Sequence, residues 1–217
     1  HVLESPGDLR PGQIVQAEVD AQRRYAIMQN HTATHLVHAA LRQILGTHVH
    51  QAGSLVAPDY LRFDFAHFAR VGEQELAAIE VLVNEKISDN IKLTHHRNIP
   101  FDEAKKMGAL MFFGDKYGDR VNVVEFSEFS REFCGGTHVR STAELGYFKF
   151  RSEGSVASGI RRIEAVTGSQ ALELLQLQDR NASERIDYAQ QQLQEVMDLH
   201  RQIAQSGTPA AAQTLAS

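Results

Sequence analysis

Two short stretches of this chain each carry a pair of metal-binding side chains four positions apart. His31 and His35 frame the first stretch, HTATH, and Cys134 and His138 frame the second, CGGTH, about a hundred residues further on. A step of four residues places His31 and His35 on one face of a helix, whereas two glycines favour a tight loop. Imidazole and thiolate ligands of this kind suit zinc best. The pattern therefore predicts a fold that brings a distant loop across to a helix, around one zinc ion.

The composition is that of a globular chain with a substantial core. With 217 residues, 42% of them hydrophobic, the chain is long enough for one large domain or two small ones. No apolar run is long enough to cross a bilayer, the first residues lack the pattern of a signal peptide, and a single cysteine excludes an intrachain disulfide. We therefore expect a cytoplasmic protein without a membrane partner. The net charge of −5 argues against a generally basic surface, so any RNA contact must be local.

Hydrophobic periodicity predicts an α+β fold, with a mixed or antiparallel sheet, packed helices and a C-terminal helical tail, because no strict β-α-β rhythm is present. The alternation over residues 13–19 predicts a strand. Asn30 is expected to cap a helix that Gly46 ends, and Pro58 and Asp59 to form the turn of a hairpin. The other predicted elements are a helix over 72–89, a strand over 91–97, a short helix over 101–108 and strands over 120–126, 146–152 and 160–166.

The chain divides into three predicted segments. These are a small β segment over 1–24, a zinc-dependent domain over 25–168 and a helical, coiled-coil-like linker over 169–217. The linker has a heptad-like apolar stripe that needs a partner: the stretch 171–179 folded back, another copy of the chain, or the chain's own domain. Because the chain begins with histidine and ends in small residues, we expect it to be a piece of a longer protein.

The metal prediction rests on the two pairs together. A lone H-x-x-x-H is a weak signal, but the only cysteine lies in a four-residue pair of its own. A glutamate between His31 and His35 would suggest a metalloprotease, yet residues 32–34 are Thr, Ala and Thr. The protease interpretation thus loses its general base. His38, one helical turn further on, is interpreted as a packed residue or as an outer partner of a ligand.

Four stretches carry a family resemblance: HTATHLVHAALRQILGTHVHQAGS, LRFDF, CGGTH and SVASGIRRIEAVTG. They resemble the editing domain of bacterial alanyl-tRNA synthetase, and the similarity runs from about Tyr25 to Gly168. The related editing domain of threonyl-tRNA synthetase shares the two ligand pairs but typically has a different loop around the cysteine. The segment after Gly168 resembles the helical connection that leads toward the C-terminal domain of the full synthetase.

The resemblance implies hydrolytic editing, in which serine and, to a lesser extent, glycine are removed from tRNA(Ala). Such a step is needed because a pocket sized for a methyl group cannot exclude glycine and rejects an added hydroxyl only modestly. The resemblance also implies zinc held by His31, His35, Cys134 and His138. The implied partners are the acceptor end of tRNA(Ala) and the aminoacylation and C-terminal domains of the same synthetase.

Five further residues are considered for the site. Thr34 lies on one flank of the ligand face and is predicted to hydrogen-bond the serine hydroxyl, a role that the resemblance also implies. Thr32, on the opposite flank, is the weaker candidate for this contact, and the alternative is that it satisfies backbone groups near the helix cap. Gln51 matches a position in the family's editing pocket and is expected to contact substrate or water. Arg161 and Arg162 follow a loop of small residues and are candidates for tRNA contact, with only one of them facing the site.

Two alternatives stay open: a free-standing trans-editing deacylase, and a noncatalytic RNA-binding module in which zinc only holds the loop to the helix. Four protein ligands close a tetrahedral site, whereas a catalytic zinc keeps one position open. Either one ligand is loose, or the shell expands to five, or zinc mainly orients the substrate.

Overall fold

A computed structural model describes residues 10, 12–112 and 117–206, without the side chains of 203–206. Its elements are α1 (Ala21–Leu45), β1 (Gln51–Val56), β2 (Leu61–Ala66), α2 (Glu73–Ser88), β3 (Thr94–Pro100), α3 (Phe101–Lys106), β4 (Arg120–Phe126), β5 (Ser130–Phe133), a short 3-10 helix (Thr142–Leu145), β6 (Phe148–Ala157), β7 (Ile160–Thr167) and α4 (Gly168–Ser206). The predicted α+β class is confirmed. The hairpin about Pro58 is confirmed as well, with β1 and β2 on either side of the turn.

The strands form two antiparallel sheets. One has the order β1-β2-β7-β6 and the other the order β3-β4-β5. Helix α1 contacts β1, β2 and β7 of the first sheet and β5 of the second. The largest fully buried side chains are aromatic and come from both sheets, with Phe63 and Phe65 from β2, Phe126 from β4 and Phe148 from β6. The core therefore joins both sheets to α1, and this position of α1 brings its polar residues close to β5.

Helix α1 is set by its apolar spacing and by its two ends. Apolar residues spaced three and four apart bury one stripe of the helix against the core. At its N-terminus the carboxylate of Asp20 accepts a hydrogen bond of 2.9 Å from the backbone N–H of Arg23. At its C-terminus the chain leaves the helix at Gly46, whose φ of +117° favours glycine. The predicted end at Gly46 is confirmed.

The predicted cap at Asn30 is wrong, because α1 begins at Ala21 and Asn30 lies well inside it. The Asn30 side chain is buried and joins the helix to its surroundings instead. Its Nδ2 donates to the carbonyl of Ala57 at 2.8 Å, and its Oδ1 accepts from the hydroxyl of Thr167 at 2.8 Å. These partners are far away in sequence, so local capping signals cannot reveal them.

The predicted strand over residues 13–19 is not formed. Residues 13–20 have neither strand nor helix structure, and Ile14 is 97% exposed. A strand needs the backbone of a neighbour to satisfy its N–H and C=O groups, and no described strand pairs with this stretch. The small β segment predicted over 1–24 is therefore wrong for the residues that the structure covers. The part over 1–9 and residue 11 lies outside the described residues.

Helix α4 is one continuous helix from Gly168 to Ser206. The stretch 171–179 is part of it, so this stretch does not fold back as a partner for the apolar stripe. Among the described helices and strands, only β6 and β7 make substantial contact with α4, and stripe residues such as Ile186 and Leu193 are exposed. No helix in the described part of the chain is both long and apolar enough to span a membrane.

Candidate metal centre

The structure brings the four predicted ligands together. His31 and His35 project from α1, one turn apart, while Cys134 and His138 lie in the loop that follows β5. The four candidate ligand atoms all lie within 4.8 Å of one another. The Sγ atom of Cys134 is 3.3 Å from Nε2 of His138 and 3.6 Å from Nε2 of His31. The fold thus closes a gap of about a hundred residues at one point.

The donor set and its spacing fit zinc. In a tetrahedral site with ordinary Zn–S and Zn–N bonds, sulfur and nitrogen ligands stand about 3.5 Å apart, close to the distances observed at Cys134. The Nε2 atom of His35 is buried and has no hydrogen-bond partner. A buried nitrogen without a partner is costly unless something else binds it. His31, His35, Cys134 and His138 are therefore the residues that would hold a metal.

Glu132 stands behind the ligands and was not singled out from the sequence. Its side chain is 2% exposed, with Oε2 at 2.6 Å from Nδ1 of His35 and Oε1 at 2.7 Å from Nδ1 of His38. A carboxylate in this place holds the Nδ1 proton of a ligand histidine and leaves Nε2 for the metal. The prediction of His38 as an outer partner agrees with this contact. The sequence carries little signal for Glu132, because its only mark is an acid two residues before Cys134 and the strand that holds it, Ser130–Phe133, is only four residues long.

Electrostatics favour the ligand forms of two residues. Burial by itself raises the pKa of the Cys134 thiol, but the neighbouring imidazoles of His138, His31 and His35 outweigh it and lower the pKa to about 3. Burial is also the largest cause that lowers the pKa of His138, to about 4. A thiolate and a neutral imidazole are the forms that bind zinc.

His35 and Glu132 form a buried pair whose pKa values are shifted in opposite directions. Burial disfavours a charged His35, yet the attraction of Glu132 outweighs it and raises the pKa of His35. In the same way, burial disfavours a charged Glu132, but His35 and His38 hold the pKa of this carboxyl below its usual range. The pair keeps the negative charge of Glu132 directed at Nδ1 of His35.

The two threonines of HTATH have different surroundings. The hydroxyl of Thr34 is buried and donates to the backbone carbonyl of Asn30 at 2.9 Å, one turn earlier in α1. The Oγ1 atom of Thr32 lies 3.2 Å from Nδ1 of His138 and accepts the N–H of Val139 at 3.3 Å. The alternative that Thr32 satisfies groups near the helix cap is wrong, because α1 begins well before it. Thr32 contacts a ligand instead.

Gln51, Arg161 and Arg162 lie on the first sheet. Gln51 and Arg161 are both paired with Phe65, one from each side, and paired residues on neighbouring strands point to the same face. Arg162 is paired with Asp64 and points to the opposite face, so the two arginines do not share one face, as expected. The Nε of Arg161 donates to Glu153 at 2.6 Å, and Arg162 makes two contacts of 2.7 Å with the carboxylate of Asp64.

Gly136 lets the loop approach the helix closely. A Cβ atom at this position would lie 2.1 Å from Cε1 and 2.6 Å from Nδ1 of His31, which is far inside van der Waals contact. At Gly135 a Cβ atom would meet only the Asn122 amide, at 3.9 Å. The two glycines therefore differ in role, and only Gly136 is needed for the ring of His31 to pack on the loop.

Comparisons with known proteins identify the relatives of this chain. The family described as threonyl and alanyl tRNA synthetase second additional domain matches residues 121–164, which include the cysteine loop. An alanine–tRNA ligase of Cytophaga hutchinsonii is 53% identical over 173 residues, which is 79% of this chain and 20% of that protein. The alanine–tRNA ligase of Thermotoga maritima is 54% identical over 191 residues, or 88% of this chain and 21% of that protein. The chain spans about a fifth of the length of the curated relatives it matches.

Proposed function

Since this chain belongs to the alanyl-tRNA synthetase family, we propose that it is the editing domain and hydrolyses the ester that links serine, and to a lesser extent glycine, to tRNA(Ala). The observation that carries this proposal is the cluster of His31, His35, Cys134 and His138. Its ligand set suits zinc, and the stretch between the two helical histidines lacks the glutamate of a metalloprotease. An activated ester needs less assistance from a general base than a peptide does, so this set is compatible with ester hydrolysis.

In this proposal the chain's own residues position the substrate beside the cluster. Zinc bound there would polarise the ester carbonyl and lower the pKa of a water molecule. Glu132 and Thr32 hold the Nδ1 atoms of His35 and His138, so that both rings present Nε2. Gln51, which makes no side-chain hydrogen bond to any described residue, contacts the substrate or the attacking water.

The acceptor end of tRNA(Ala) is the proposed partner, and Arg161 and Arg162 are its proposed contacts. Both guanidinium groups already form ion pairs with carboxylates of the sheet. A phosphate of the tRNA would therefore bind guanidinium groups that also contact these carboxylates. The same proposal includes two further partners, the aminoacylation and C-terminal domains of the same synthetase. It also includes a location in the cytoplasm and self-association through the exposed stripe of α4.

The first experiment compares hydrolysis of seryl-tRNA(Ala) and alanyl-tRNA(Ala) by this chain, with metal analysis of the same sample. We expect the seryl ester to be hydrolysed and the alanyl ester to be spared. Failure of a folded, zinc-loaded chain to hydrolyse seryl-tRNA(Ala) would refute the proposal. That result would favour the noncatalytic module. The close approach of all four ligands also supports this alternative, because structural zinc sites are closed by four protein ligands.

Thr34 is proposed to select serine. Its hydroxyl donates its proton to the Asn30 carbonyl, so the oxygen is left as an acceptor for the serine hydroxyl. We expect Thr34→Val to slow the removal of serine about tenfold, the value of one hydrogen bond, and to leave the removal of glycine unchanged. The measurement is the deacylation rate on seryl-tRNA(Ala) and glycyl-tRNA(Ala).

The matched control for this prediction is Thr34→Ser, which keeps the hydroxyl and is expected to retain the preference for serine. Equal slowing of both substrates by Thr34→Val would show that Thr34 supports the site without reading the serine side chain.

A further inference from the structure

The four candidate ligands are not held equally by their surroundings. We propose that His31 is the exchangeable ligand, and that its release from the metal opens the position that an aminoacyl ester or a water molecule requires. The first half of this inference concerns only this chain and its metal, and the second half rests on the proposed function. Such a release would give a site with four protein ligands the open position that a catalytic zinc requires.

Three of the ligands have an outer partner in the protein. Glu132 lies 2.6 Å from Nδ1 of His35, and Thr32 Oγ1 lies 3.2 Å from Nδ1 of His138. The backbone N–H of Gly136 donates to Sγ of Cys134 at 3.4 Å. Partners of this kind fix the ring orientation and the tautomer of a ligand, and losing one typically lowers metal affinity about 10- to 100-fold.

His31 has no such partner. Its Nδ1 makes no hydrogen bond to any residue in the described ranges, and its Nε2 is farther from Sγ of Cys134 than that of His138. His35 and His138 are 3% and 7% exposed, whereas His31 is only half-buried. A half-buried ring without a polar anchor can turn about its side-chain bonds at a lower cost than a buried, anchored one.

The three ligands that remain when His31 is released from the metal are sufficient for a catalytic zinc site. Cys134, His35 and His138 supply three protein ligands, and three protein ligands plus one open position is the composition of catalytic zinc sites. The alternative choices are poorer. Releasing His35 would leave a buried nitrogen without a partner beside the Glu132 carboxylate, and releasing Cys134 would remove the only anionic ligand.

Gly136 offers a way to displace His31 selectively. The nearest atoms that an added Cβ would meet all belong to the His31 ring, and the φ of Gly136 is not in the left-handed region. Gly136→Ala should therefore push the ring away without straining the loop. Gly135→Ala adds the same methyl group next door, where it has room, and is the matched control.

The test measures zinc affinity by competition with a chelator and the visible spectrum of the Co²⁺-loaded chain. We expect His31→Ala and Gly136→Ala to lower zinc affinity by only about 10- to 100-fold, no more than the loss of an outer partner typically costs. Both should keep a cobalt–thiolate band, shifted by an exchangeable water. His35→Ala and His138→Ala should lower affinity by about a thousandfold or more, and Gly135→Ala should match the wild type.

Equal losses of zinc affinity in all three histidine variants would overturn the inference. A loss of zinc affinity in Gly136→Ala as large as that in His138→Ala would overturn it too. Thermal melting of the zinc-free chains checks that each variant folds. Because these measurements use no tRNA, they are independent of the proposed function. A wild-type chain that shows this order of affinities but does not hydrolyse seryl-tRNA(Ala) would refute only the function.

Discussion

Replacing Glu132 by alanine is expected to destabilise the chain by about 3–5 kcal/mol, the usual cost of removing one partner of a buried ion pair. Glu132 is almost completely buried, and its two oxygens serve His35 and His38. Without the carboxylate, both imidazoles would keep a buried Nδ1 that nothing else in their surroundings satisfies. His35 would also lose the contact that directs its Nε2 at the metal, so zinc affinity should fall together with stability.

The measurement is urea unfolding of Glu132→Ala with and without zinc. Glu132→Gln is the conservative comparison, because its carbonyl oxygen can still accept from one imidazole, and we expect it to lose less. Glu128→Ala removes an exposed carboxylate from the nearby turn and should change stability by less than about 0.5 kcal/mol. If Glu132→Ala were as stable as Glu128→Ala, the Glu132 carboxylate would not be a support of the two histidines.

Replacing Cys134 by alanine is expected to abolish stoichiometric zinc binding and to slow the hydrolysis of seryl-tRNA(Ala) by about a thousandfold or more, since a bound metal supplies several kcal/mol of transition-state stabilisation. Cys134 is the only cysteine of the chain and the only anionic member of the cluster. Its low pKa makes it a thiolate at neutral pH. Three imidazoles would remain, with a void in place of the sulfur.

The wild-type chain treated with a chelator should behave like Cys134→Ala, and added zinc should restore hydrolysis to the wild type but not to the variant. Metal content per chain and the deacylation rate are measured on the same samples, and circular dichroism checks the fold. Full activity in the metal-free wild type would contradict any role of zinc in the reaction.

Much of the fold follows from patterns within single segments. The apolar stripe of α1, the turn at Pro58 and the alternating strands are readable from sequence because each depends on residues a few positions apart. The strand predicted over 13–19 failed because alternation says nothing about whether a partner strand exists. Strand β5 was missed because the four residues of Ser130–Phe133 are too few to show alternation. The start of α1 was misplaced because Asn30 is polar for a tertiary reason, its contacts with Ala57 and Thr167.

Residue type and spacing are enough to predict the chemistry of the candidate centre: two pairs of ligands four residues apart, a single cysteine and no acid between the helical histidines. How those ligands are supported depends on the packing of the folded chain. Thr32 with His138, and Glu132 with His38, are contacts between residues about a hundred positions apart. No local pattern encodes such contacts, because they depend on how α1 packs against the strand and loop that carry the cysteine. The same packing leaves His31 without an anchor and so makes the four ligands unequal.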